Sequence, residues 1–341
     1  MPVNVISRRM FLALSGAAAL TATTSLPAFA ASPEPLPVVA SFSILADMVK
    51  QVGGDLVDVA SLVPPGGDAH VYEPTPADAR RLREARLLVV NGLGFEGWLP
   101  RLLSSAEFSG NVIEASAGIK PLPLGEPEEG DDHHHEEGHD HKDDHKDAEA
   151  AGHDHAGHDH GHGHGDSDPH AWQDLRNGIV YVRNIAEALA AADPAHADEY
   201  RRNADGYAAR LRALDDATRA RFASIPRERR KVVTSHDAFG YFGAAYGIDF
   251  IAPLGASSEA ESSAADIARI IDQIRDQGIS AVFVESISNR RLIDQITRET
   301  GAAVGGTLYS DALSGPDGPA PAYLDMFRHN AGEIARALGA D

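Results

Sequence analysis

Along most of the chain, short and wholly apolar runs alternate with longer segments whose apolar residues recur every three or four positions. The first pattern predicts buried strands and the second amphipathic helices. Pro37 to Ala40 is a strand candidate leading into a helix over Ser43–Val52, where Ile44, Leu45, Met48 and Val49 have helical spacing and Gly53-Gly54 supplies the stop. Val57 to Leu62 reads as a second strand, closed by Pro64-Pro65-Gly66-Gly67. Thr75 then caps a helix, with Pro76 at its first position and Asp78 at capping-box spacing. Leu87 to Val90 is a strand, Phe95 to Leu103 a short helix, and Val112-Ile113 a fourth strand.

Past residue 168 the order changes. Leu175 to Ala192 is helical, and Pro194 breaks it and opens a longer helix over about 195–223, with Tyr200, Tyr207, Leu211 and Leu214 on one side. From Lys231 the strand–helix rhythm resumes. Strands are expected at 232–234, 248–251, 281–284 and 303–308, and helices at Ala238–Tyr246, Ser263–Gln277, Arg290–Thr300 and Tyr323–Leu338. Strand and helix alternating at this spacing predict an α/β fold with parallel sheets covered on both faces. A long amphipathic helix between two such halves suits a rigid connector.

One stretch follows neither pattern. Residues 126–168 hold no large apolar side chain, cannot bury a core and are expected to stay disordered. They contain two lysines against sixteen Asp or Glu, a formal charge of −14 out of the chain's −21. They also contain His133, His134, His135, His139, His141, His145, His153, His155, His158, His160, His162 and His164. An acidic solvating linker explains the carboxylates but not the alternating His-Asp-His and Gly-His units, and a purification tag sits at a terminus. Imidazoles interleaved with carboxylates are auxiliary ligands for zinc, copper or nickel.

The acidic balance argues against nucleic acid and anionic membrane surfaces as partners. The chain has no cysteine, which excludes disulfides, thiolate metal sites and a lipid-anchoring cysteine. Arg8-Arg9, the apolar run Met10 to Leu20 and Ala28-Phe29-Ala30 read as a signal peptide over 1–30 with a twin-arginine-like start, predicting a protein exported to the periplasm. A general secretory signal remains the alternative.

Outside the tract only His70, His170, His196, His236 and His329 remain. His196 and His329 lie in helices and read as solvated surface residues. His70, His170 and His236 each sit where the chain leaves an apolar strand or a loop, next to small or aromatic residues, and Asp311 follows strand 303–308 in the same way. Ligands of open α/β sheets bind outside the carboxyl ends of the strands. Three imidazoles and a carboxylate meeting there make a four-coordinate zinc site. Any one of them alone is more often a hydrogen-bonded rim residue.

The stretches Gly67-Asp68-Ala69-His70-Val71-Tyr72-Glu73-Pro74-Thr75-Pro76, Asp168-Pro169-His170-Ala171-Trp172, Thr234-Ser235-His236-Asp237-Ala238-Phe239-Gly240-Tyr241-Phe242, Val282-Phe283-Val284-Glu285 and Leu308-Tyr309-Ser310-Asp311 resemble, in order, the zinc and manganese solute-binding proteins of ABC importers. The resemblance covers nearly all of the chain after the signal segment. It implies two similar α/β lobes joined by one long rigid helix with the metal in the cleft between them. The expected division is an N-terminal lobe over 31–194 that includes the tract, a connector over 195–224 and a C-terminal lobe over 225–341. The resemblance also implies His70, His170, His236 and Asp311 as the ligands, and Glu285 behind them. Manganese-type members carry a carboxylate where this chain has His236, so the third imidazole favours zinc. Zinc-type members often have a His-rich loop just before the second ligand, where 126–168 lies.

The expected function is high-affinity capture of Zn2+, with one tight ion in the cleft and weaker ions on the loop, and delivery to the membrane permease of an ABC importer. A periplasmic zinc metallochaperone is a further candidate partner, and monomer is the default for this class. A fully enclosed ion leaves no position for catalysis, and the chain lacks the HExxH pattern of zinc proteases, so it is not expected to be an enzyme. A periplasmic zinc buffer, storage or adhesin-like protein is the alternative. Because imidazoles bind metal only when unprotonated, affinity is expected to fall as pH drops through about 6.5.

Overall fold

The computed structural model describes Met1 and residues 34–124, 167–255, 263–279 and 281–340. Residues 2–30, expected to be a signal peptide, and all twelve tract histidines lie outside the described residues.

The apolar runs pair into two four-stranded parallel sheets. In the first, β1 (Leu36–Phe42), β2 (Val57–Val63), β3 (Leu87–Val90) and β4 (Asn111–Glu114) lie in the order β2-β1-β3-β4. In the second, β5 (Lys231–Val233), β6 (Asp249–Ile251), β7 (Ala281–Glu285) and β8 (Ala303–Leu308) lie in the order β6-β5-β7-β8. The two orders are equivalent, so each lobe repeats one winding. A crossover helix joins most consecutive strands, as parallel pairing requires. In the first lobe these are α1 (Ser43–Gly53), α2 (Pro76–Glu84) and α3 (Leu99–Ala106).

Local chemistry sets most of these boundaries. Gly54 ends α1 with φ at +57°, a region that costs glycine little, and its N–H bonds the Lys50 carbonyl. The capping box at Thr75 and Asp78 forms as expected. The third helix starts at Leu99 rather than Phe95. Glu96 is the reason: its carboxylate accepts the backbone N–H groups of Asn91 (2.6 Å) and Gly92 (3.3 Å), which holds the preceding residues in a turn.

Along the chain β4 is followed by α4 (Leu175–Ala192), which packs on α1, β3 and β4 of the first lobe, and then by α5 (Ala197–Ala223), the two separated by a single 3-10 turn at Pro194–His196. The 27-residue α5 buries Tyr200, Ala204, Tyr207, Ala208, Leu211, Thr218 and Phe222 along one stripe. It is tied to both lobes. Asn203 donates to the Val52 carbonyl at 2.9 Å, and Asp215 accepts from Tyr246 of α6 (Gly240–Tyr246) at 2.9 Å. The remaining helices are α7 (Ala264–Gln277), α8 (Arg290–Thr300) and α9 (Tyr323–Ala337).

One continuous apolar core runs from the first sheet through α4 and α5 to α6, α9 and one face of the second sheet. A second, Ile- and Val-rich core fills the space under α7 and α8. Interiors this densely packed resist gradual deformation, so the connector holds the lobes as a rigid strut. Among the described residues no helix is long and apolar enough to cross a membrane.

Candidate metal centre

The carboxyl ends of both sheets converge on one point. His70 follows β2, His170 lies beyond β4, His236 follows β5 and Asp311 follows β8. One ligand atom from each lies within 4.8 Å of the others. His70 Nε2 is 3.3 Å from His170 Nε2 and 3.3 Å from Asp311 Oδ2, and His236 Nε2 is 3.1 Å from Asp311 Oδ2. His170 Nε2 is 3.5 Å from Asp311 Oδ1. Zinc–nitrogen bonds of about 2.0–2.1 Å put tetrahedral ligands roughly 3.3–3.4 Å apart, so these separations suit four donors around one small cation. His170, His236 and Asp311 are fully buried, whereas the His70 side chain retains 7% exposure and is the donor nearest solvent.

Each ligand is aimed by its neighbours. Asp68 accepts the His70 N–H at 2.9 Å, and the Trp98 indole holds the Ala69 carbonyl at 2.8 Å. Asp168 accepts both the backbone N–H of His170 (2.9 Å) and its Nδ1 (2.8 Å), which turns Nε2 toward the centre. Asn91 fixes the intervening Pro169 carbonyl at 2.9 Å. Across the lobes, Trp172 and Gln173 both donate to the Ser310 carbonyl at 2.9 Å, which positions Asp311 one residue later. Phe95 stands edge-on to His70 and, with Trp172, to His170, so apolar rings wall the site.

His236 is held differently. Glu285, the last residue of β7, accepts the backbone N–H groups of Ser235 (2.8 Å) and His236 (2.9 Å) through Oε1. Its Oε2 lies 2.7 Å from His236 Nδ1, an ion-pair approach rather than a well-angled hydrogen bond. Burial pushes the His236 pKa down, but the Glu285 and Asp311 carboxylates outweigh it and hold it well above the ordinary imidazole value. Burial likewise pushes Asp311 up, yet the His170 and His236 rings hold it well below the usual carboxylate range. His236 Nε2 and both Asp311 carboxylate oxygens are buried without a hydrogen-bond partner. Orphaned buried polar atoms are costly, and a cation at their common centre would satisfy all three.

The four residues expected to meet therefore do so, and Glu285 stands behind His236. Asp168 differs from expectation. Composition assigns it to the end of the acidic tract, yet it is buried and its N–H pairs with the Leu122 carbonyl at 2.9 Å. Its spacing two residues before His170 was the available signal. Trp172 and Gln173 give no such signal, because their partner lies 138 and 137 residues away. His196 and His329 are partly exposed, and each has a partner: His196 Nδ1 is 2.6 Å from Asp193 Oδ2, and His329 Nε2 is 2.9 Å from the Thr307 carbonyl. Neither belongs to the ligand cluster.

Known proteins share this architecture. The chain is 33% identical over 303 residues to the iron-binding protein YfeA of Yersinia pestis, covering 89% of this chain and 86% of the relative. It is 30% identical over 336 residues to the manganese ABC transporter substrate-binding lipoprotein PsaA of Streptococcus mitis, covering 96% and 97%. Among solved structures it resembles the periplasmic zinc-binding protein TroA of Treponema pallidum (TM-score 0.74, 29% identity, 89% and 99% covered). It also resembles the manganese-bound periplasmic metal-binding protein of Candidatus Liberibacter asiaticus (TM-score 0.71, 30% identity, 88% and 98% covered). Residues 38–337 match the family described as zinc-uptake complex component A, periplasmic, and the chain belongs to this family of metal-binding, substrate-binding proteins of ABC importers.

Proposed function

We propose that the chain captures Zn2+ in the periplasm and delivers it to the permease of an ABC importer. His70, His170, His236 and Asp311 are the ligands, and Asp168 and Glu285 orient two of them. The observation that carries the choice of zinc is the donor set, three imidazole nitrogens against a single carboxylate. Such a set is softer than the carboxylate-rich shells that suit manganese. Relatives named for iron and manganese make those ions the competing cargo. Four protein donors complete a tetrahedral shell, so the ion is held without an open position for chemistry. The lobes 31–194 and 225–341 supply two ligands each across the connector 195–224. The tract histidines serve as weaker accessory ligands that raise the local metal concentration. The protein works as an exported monomer, and a periplasmic metallochaperone is a second candidate partner.

The test is competition against a strong chelator, using metal-free protein, zinc or manganese, and a variant with His70, His170 and His236 replaced by Ala. Tight zinc binding that the triple variant loses is the expected result. Manganese displacing zinc at equal concentration would overturn the cargo, and a triple variant that still binds tightly would overturn the site in favour of a buffer built on the tract.

A further inference from the structure

Tyr241, in the first turn of α6, links the C-terminal lobe to the two stems that bracket residues 125–166. Its hydroxyl accepts the backbone N–H of Leu122 at 3.0 Å and donates to the Asp168 carbonyl at 3.3 Å. The stems are themselves paired, by the Asp168 N–H on the Leu122 carbonyl at 2.9 Å and by an antiparallel bridge between Pro123 and Ser167. A single hydroxyl from one lobe thus sits at the neck formed by the other. Burial raises the phenol's pKa, so it stays protonated and keeps both roles.

The neck is joined to the metal centre through the same residue. Asp168 gives its carbonyl to Tyr241 and its carboxylate to His170. Tyr241 lies five residues beyond His236, and its neighbour Gly240 packs so closely on Asp168 that a Cβ there would stand 2.5 Å from Oδ2. The short segment that carries His236 therefore presses on the residue that aims His170.

We propose that Tyr241 is a clasp between this neck and the metal centre, so that metal release and opening of the neck are one motion. The proposal deepens the capture reading and rests on it for the site being a metal site. An ion held by His170 from one lobe and His236 from the other leaves when those rings part. His236 and Tyr241 share one segment, so parting them draws the hydroxyl off both stems. Tyr241 is a positioning residue, for it touches no ligand atom.

The experiment compares full-length mature protein with Tyr241→Phe, which keeps the ring, and with Tyr246→Phe, which removes a hydroxyl of the same helix bonded to Asp215 instead. Hydrogen exchange at the Leu122 and Asp168 amides is followed without metal, with zinc and with manganese, alongside stopped-flow release to a chelator. Metal should slow exchange at both amides in the wild type. Tyr241→Phe should speed exchange at Leu122 even without metal, abolish the metal-dependent slowing and release metal about tenfold faster, the scale of one hydrogen bond. Tyr246→Phe should release at the wild-type rate. A Tyr241→Phe protein with wild-type release or an intact metal response would overturn the clasp, as would equal acceleration by Tyr246→Phe. Failure of zinc to bind the wild type would sink the zinc reading alone, because the neck comparison is also made with manganese and without metal.

Discussion

Glu285 Oε2 lies 2.7 Å from Nδ1 of His236, while its Oε1 accepts two backbone N–H groups from the segment that carries that histidine. The carboxylate therefore fixes both where the ring sits and which nitrogen faces the cleft. Partners of this kind orient ligands and raise their basicity. Glu285→Gln keeps the shape and removes the charge, and should weaken metal binding by about 10–100-fold. Chelator competition measures it; affinity equal to wild type would mean that Glu285 serves packing alone.

The same carboxylates set the pH response. In metal-free protein the pKa of His236 is held well above its ordinary value, so near neutral pH an incoming cation must displace a proton. Affinity should begin to fall above the reference of about 6.5 rather than through it. Titration in buffers of different ionisation enthalpy should report proton release on binding near pH 7, and its absence would count against this. Stability without metal runs the other way. The raised pKa stabilises the fold fully below the unfolded imidazole value, and that contribution fades as pH rises through the folded one.

Asp168 sets a boundary for deletion. A variant lacking 126–166 retains the Leu122–Asp168 pairing and the carboxylate on His170, and should keep one tight site. Extending the deletion through Asp168 should weaken that site by about 10–100-fold, the usual effect of losing such a partner. Equal affinities for the two deletions would show that His170 needs no help.

Asp215 offers a stability test remote from the metal. It accepts from Tyr246 at 2.9 Å and pairs with Arg219 at 3.0 Å and Arg176 at 3.1 Å, joining α4, α5 and α6. Asp215→Ala strands a buried hydroxyl and removes a nearly buried charge, and should cost about 2–4 kcal/mol in denaturant unfolding. Its metal affinity should stay within about threefold of wild type, since local contacts far apart act additively. A larger affinity loss would mean that the connector transmits strain to the cleft.

Most of the fold is legible along the chain because it rests on short-range chemistry. Apolar runs, the Thr75–Asp78 box, Gly54 and Pro194 each act within a few residues, and the strands and helices they mark form within a few positions of where they are expected. The exceptions have tertiary causes: Glu96 delays α3 by bonding N–H groups of the preceding turn, and Asp168 leaves the acidic tract because Leu122 and His170 claim it. Sequence by itself determined which four residues could serve as ligands, since strand ends and residue types are local properties. Only the tertiary structure decided that they meet within 4.8 Å, that Asp168 and Glu285 aim the rings, and that Tyr241 reaches the neck of the tract. These relations join residues up to 241 positions apart, and packing of the two lobes on one core, rather than any local preference, brings them together.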